Sequence, residues 1–179
     1  MAGNKKPRKA RRPAAGGLPL PLVFGMTREM HQKLGIRDRM HIEAAWSGHG
    51  TDDDLAAAIS VCVTMTYLTK SAIDNPGGHE VGADDLQAAH NELSRVIGPA
   101  LHAMRVRRDA TGRVGCTGEQ RQALIALADL ADQLRANLPR RMYLAALSYA
   151  VKHPRLEVAL PKHGGDEGAL SLLDSVAMG

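Results

Sequence analysis

Thr51-Asp-Asp-Asp-Leu-Ala-Ala-Ala-Ile-Ser-Val-Cys-Val-Thr-Met-Thr-Tyr-Leu-Thr69 decides the fold. Thr51 has the chemistry of a helix N-cap, and Asp52, Asp53 and Asp54 favour the positive end of the helix dipole. From Leu55 to Thr69 there is no charge, and two neighbouring stripes are apolar: Leu55, Ile59, Cys62 and Met65 in one, Ala58, Val61, Leu68 and Ala72 in the other. A helix apolar over so much of its circumference belongs at the centre of a bundle. The rival is a membrane span, which needs about twenty mostly apolar residues. Ser60, Thr64, Thr66, Tyr67 and Thr69 interrupt this run, so a buried helix and no membrane partner are expected.

Outward from that helix, Asn75-Pro-Gly-Gly78 stops it and Ser47-Gly-His-Gly50 is the turn before it. Upstream, Thr27 caps a helix bearing Met30 and Leu34. Gly35 interrupts before Ile36, Met40 and Ala44 recur up to Trp46, which predicts two short helices or one broken one. Downstream, a helix from about Asp84 carries Leu86, Ala89, Leu93, Val96, Ile97, Leu101 and Met104 on one side. Gly98-Pro99 inside it should kink or divide it, since proline has no backbone donor. Thr117 and Gln120 form a capping-box pattern ahead of Leu124, Leu127, Ala131, Leu134 and Leu138. Pro139 opens a last helix, Arg140 to Lys152, with Leu144, Leu147 and Val151 inward, and His153-Pro154 ends it.

The chain is therefore expected to be mainly α, a single bundle of about five or six helices. Leu18 to Phe24 and Leu156 to Leu160 alternate like strands, and residues 18–24 and 155–161 can pair as a minor two-stranded ribbon. The organisation that follows is a disordered basic arm (1–17), a helical domain (18–163), and a hinge at Gly164-Gly165 with a short docking helix (164–179) bearing Leu170, Leu173 and Val176. The arm has no large apolar residue whose burial could offset its ordering.

Charge is unevenly spread. The formal net charge is +4, yet Lys5, Lys6, Arg8, Lys9, Arg11 and Arg12 stand without an acidic residue in the first thirteen positions. The remainder is slightly acidic. Attraction to polyanions is thus concentrated on one tether. Pro19 and Pro21 break the apolar helix that a secretory signal would need. Pro13 and Ala-Ala-Gly-Gly17 fit a twin-arginine signal poorly. The two cysteines, Cys62 and Cys116, read as reduced thiols, which gives a cytoplasmic expectation, or a nuclear one in a eukaryotic host, where Lys5 to Arg12 resembles an import signal.

Candidate chemistry elsewhere weakens on inspection. Eight histidines are dispersed without metal-ligand spacing, and His41-Ile-Glu43 lacks the Pro-Cys-x-x-Cys half of a zinc deaminase site. Gly48-His-Gly50 before a helix start resembles a phosphate loop, but three aspartates on the next turn would repel the anion. Cys116 has no base nearby in the sequence, and no cofactor is implied. Arg105, Arg107, Arg108 and Arg113 surround a helix end, where they complement its dipole. Arg140 and Arg141, at a helix start, are electrostatically less favoured there and so more suggestive. The expected function is a non-enzymatic, nucleic-acid-associated one. Lys5, Lys6, Arg8, Lys9, Arg11, Arg12, Arg140 and Arg141 would contact the phosphate backbone, or another polyanion, without strong sequence readout. The alternative is a homo-oligomeric structural or adaptor protein, associating through helical faces, whose arm is a tether or targeting segment.

Overall fold

Three threonines start helices where the sequence predicts. In a computed structural model of the protein, which describes residues 27–153, Thr27 accepts from the Met30 amide and Thr51 and Thr117 each close a full capping box, with Asp54 and Gln120. The helices are α1 (Arg28–Trp46), α2 (Asp52–Asp74), α3 (Ala83–Glu92), α4 (Gly98–Thr111), α5 (Gly118–Asn137) and α6 (Arg140–Lys152). A 3-10 turn, Pro76–Gly78, follows α2, and a π-helical turn, Leu93–Ile97, joins α3 to α4 in one rod. The described residues form a mainly α bundle around a single hydrophobic core. The ribbon of residues 18–24 and 155–161, the arm and the C-terminal hinge and helix lie outside the described residues.

α2 is the axle. It is long and apolar enough, by length and composition, to cross a membrane, yet here it packs against every other helix among the described residues, with twelve of its own residues buried. Its polar residues are accommodated locally: the hydroxyls of Thr64, Thr66 and Thr69 donate to the carbonyls of Ser60, Cys62 and Met65, four residues back, at 2.7, 2.8 and 3.0 Å. That return bond lets a threonine enter a core without an unpaired donor. Burial pushes the Cys62 thiol up to about 12, which removes it from thiolate chemistry.

Pro99 does not divide the rod, because the helical backbone runs on through it after a π-helical turn. The turn before it widens so that the Gly98 amide reaches the Leu93 carbonyl, five residues back. This extra residue relieves the clash a proline ring makes in a regular helix. It also resets the helical phase: Leu93, Ile97 and Leu101 are buried while Val96, expected on the same side, is 47% exposed.

Two other faces differ from expectation. α1 runs unbroken through Gly35, and its buried side is Asp38, Ile42 and Ala45 rather than Ile36 and Met40. α6 buries Met142, Tyr143, Ala146 and Ala150 rather than Leu144, Leu147 and Val151. Leu144 and Leu147 are half-buried and Val151 is exposed. In α6 the small alanines allow close approach to α2, and close packing outweighs the larger transfer energy of leucine at an edge.

The turn into α2 is sterically exacting. Gly48 has φ +81°, and a Cβ on Gly50 would lie 2.8 Å from the Ala45 Cα and 2.9 Å from the Ala44 carbonyl oxygen. At Gly35 a Cβ would meet only the Arg135 side chain, at ordinary contact distances of 3.7 and 3.8 Å. Gly50→Ala should therefore cost about 2 kcal/mol by backbone overpacking. Gly35→Ala should stabilise by about 0.5–1 kcal/mol through helix propensity. Urea denaturation of the two variants checks both signs.

Candidate anion-binding groove

α6 begins unlike α1, α2, α3 and α5, the helices that do not continue directly from a preceding helical turn. Thr27, Thr51 and Thr117 cap α1, α2 and α5, and each of those has acidic residues in its first turn, as does α3. α6 has Pro139 at its N-cap, no side-chain cap bond and no acid, but Arg140 and Arg141 instead. Unpaired amides and the positive dipole end there meet two more positive charges, an arrangement that an approaching anion relieves.

Arg140 faces the start of α1 across a groove of about 850 Å³, to which α1 contributes Arg28, His31 and Gln32 and α5 contributes Asp132 and Arg135. Two helix beginnings, those of α1 and α6, thus open on one space. Of its charged side chains, Arg28 and Arg140 have no ion-pair partner among the described residues, while Arg39 reaches Asp132 at 2.7 Å and Glu43 at 3.1 Å. The groove offers donors: guanidinium groups, the Gln32 amide and the backbone of an uncapped helix.

A buried polar cluster forms its floor. Asp38, on the inward face of α1, accepts from Arg135 of α5 at 2.5 Å, and the Arg135 side chain is only 6% exposed. The Arg135 guanidinium carbon lies 5.5 Å from the centre of the Tyr143 ring, and Tyr143 in turn meets the His31 ring edge to face at 5.0 Å. This chain of contacts ties α1, α5 and α6 together. Burial pushes the Asp38 carboxyl above its ordinary range, with Arg135 and then Arg37 opposing. His31 is held below its ordinary value by burial first, then by Arg135 and Arg140. His31 Nε2 and Arg135 Nε are buried without a hydrogen-bond partner among the described residues.

The sequence candidates separate. Arg140 lies in this groove. Arg141 lies on the other side of α6, in a shallow depression with Ser71, Asn75 and Gly78 at the C-terminal end of α2, where a negative dipole end accounts for a cation. Lys5, Lys6, Arg8, Lys9, Arg11 and Arg12 are outside the described residues, but the chain enters the described body at Thr27, beside Arg28 on the groove's edge. Arg107 and Arg108 are engaged elsewhere: Arg107 donates to Gln120 and the Gly115 carbonyl, and Arg108 grips Asp52 with both arms of its fork and also pairs with Asp109.

The remaining candidates take structural roles. Asp54 accepts from the Thr51 amide and from His41 Nδ1, and these bonds, His41's foremost, hold its carboxyl down at about 2. No group of three metal-ligating side chains occurs among the described residues. The Cys116 thiol donates to the Trp46 carbonyl at 3.4 Å. Arg28 and Arg135 escaped the reading of the sequence. A signal for Arg135 existed, since it adjoins Leu134 and follows Ala131 by four on the apolar side of α5. No protein-family model, curated protein or solved structure matches the chain.

Two outcomes follow. Arg135→Met leaves Asp38 as a buried, uncompensated acid and should cost about 3–5 kcal/mol, whereas Asp38→Leu with Arg135→Met should recover most of the loss; chemical denaturation of the single and double variants measures the difference. For pH, His31 and His90 are both held below 6.5, each chiefly by burial. The unfolded chain therefore binds protons there before the folded one does. Their contribution to stability is full above about pH 6.5 and is lost as pH falls through the lowered folded values. Comparing urea midpoints at pH 7.5 and 5.0 for the native chain and the His31→Gln, His90→Gln variant isolates this effect from Asp38, whose raised carboxyl acts in the opposite sense. The native chain should lose more on acidification.

Proposed function

We propose that this chain is a non-enzymatic, nucleic-acid-associated protein whose basic arm, Lys5 to Arg12, contacts phosphates, with Arg28 and Arg140 continuing the contact onto the body. The observation that carries the reading is the uncapped, arginine-bearing start of α6, which shares a groove with Arg28, next to the first described residue, Thr27. The charge distribution supports it too. Residues 27–153 hold fifteen basic and fifteen acidic side chains, so the body as a whole is neutral, while the arm adds six cations. A neutral body does not attract a polyanion at long range, so the field comes from the arm and from local clusters such as this groove. Phosphate contacts of this kind give affinity that falls with salt and little sequence discrimination.

Homo-oligomerisation through a helical face is the second reading, favoured by Ile36 and Met40. They lie one turn apart on α1 and are each 64% exposed, which makes an apolar strip that a second surface would cover. Sizing the protein in solution with and without nucleic acid separates the two: a defined oligomer indifferent to nucleic acid favours the second.

For the first reading, removal of residues 1–13 should abolish oligonucleotide binding at moderate salt, and binding unchanged by the deletion would sink it. Arg140→Ala should weaken binding uniformly across sequences and reduce the slope of log affinity against log salt by about 1, as measured by fluorescence anisotropy in a salt series.

A further inference from the structure

A second groove, of about 1050 Å³, runs on the other side of α5, between that helix and α3. α5 packs on the π-helical turn and makes few contacts with α3, and the groove opens between the two helices. Its walls carry Glu80, Asp85 and Glu92 on the α3 side and Asp129 on the α5 side, over an apolar floor that includes Leu86 and Leu130. Among the described residues no lysine or arginine lines it. In a body with equal numbers of acidic and basic residues, that is a segregation of charge. Glu80, Asp85 and Glu92 have no ion pair among the described residues, and Asp129 has only the edge of Arg39, at 3.4 Å. The four carboxylates are exposed at the rim while Leu86 is buried beneath them.

We infer that this acidic groove is a dock for the chain's own basic arm, Lys5 to Arg12. Charge complementarity is the first argument: six cations without an acid meet four carboxylates, of which only Asp129 has an ion pair among the described residues. Reach is the second. The cationic and acidic grooves flank the same helix and share Ala136 as a lining residue. The fourteen residues from Pro13 to Met26 span up to about 46 Å when extended, more than the roughly 30 Å length of α5. A tether of that length holds the arm at about millimolar effective concentration, so contacts too weak to form between separate molecules become populated. The acidic groove follows α3 for about ten residues, roughly 15 Å, which matches about five extended residues of the arm. Exposed ion pairs of this type are individually weak and screened by salt, so the docked arm is releasable. Resting on the function proposed above, phosphates would have to displace it, and the groove would then set the threshold for nucleic-acid binding.

Carbodiimide cross-linking of the full chain at low salt, without nucleic acid, tests the dock directly. Peptide mapping should find Lys5, Lys6 or Lys9 joined to Glu80, Asp85, Glu92 or Asp129, and the links should vanish in high salt. Equal yields at carboxylates remote from the groove, such as Asp53 or Glu119, would overturn the proposal, as would no arm links at all. In an equimolar mixture of ¹⁴N and ¹⁵N protein, links within one isotope support docking in the same chain; mixed-isotope links in statistical proportion overturn it in favour of a second copy. The exposed substitutions Glu80→Gln, Asp85→Asn and Glu92→Gln together should cut the arm links several-fold and tighten oligonucleotide binding at least threefold. Lost links with unchanged affinity would refute the competition. Because the cross-links are read without nucleic acid, they persist if the nucleic-acid reading fails and the dock is real.

Discussion

A helix apolar over most of its circumference must be covered over most of it, and the rest of the described fold is the cover for α2. Each other helix contributes one stripe to it, which is why those helices can be weakly amphipathic and short of aromatic residues without loss of a core. Leu, Ile, Val, Met and Ala fill the interior, and alanines on α6 bring backbone close to α2. The hydrophobic effect supplies the driving force. The threonines of α2 do not oppose it because their hydroxyls bond within the helix itself.

Polar interactions add orientation to this cover rather than bulk stability. A buried ion pair such as Asp38–Arg135 contributes little beyond an apolar replacement, yet it fixes which face of α1 meets α5. It turns Ile36 and Met40 outward and, through Tyr143 and His31, sets the start of α6 against the start of α1. The cationic groove is a by-product of that registration. At the other end of the bundle, Arg108 and Asp52 tie α4 to the start of α2, so the arginines there are committed to the fold.

The result is a body that is neutral in sum but divided across α5, with a cationic groove on one side and an acidic one on the other. In water such fields act over about a Debye length, so they bear on whatever is held close. The residues that precede Thr27 are bonded to the body next to Arg28.

The sequence by itself determined most of the helices and their limits, though not the continuity of α1 through Gly35. Thr27, Thr51 and Thr117 as caps, Asn75-Pro-Gly-Gly78 and His153-Pro154 as stops, and the uncharged run of α2 act through local bonds and periodicity, which depend on neighbours three or four residues away. It determined, too, that the cations cluster at one end of the chain. Tertiary structure alone decided which faces turn inward where two phases compete. Leu144 and Leu147 outrank Ala146 and Ala150 in hydrophobicity, but only the distance to α2 reveals that small residues fit there. Asp38 reads as surface until Arg135, ninety-seven residues away, is placed against it. Arg140 and Arg141 are neighbours in sequence and a helix rotation of about 100° sends them to different grooves. Such pairings are set by packing between distant segments, and no local rule of charge or periodicity carries that information.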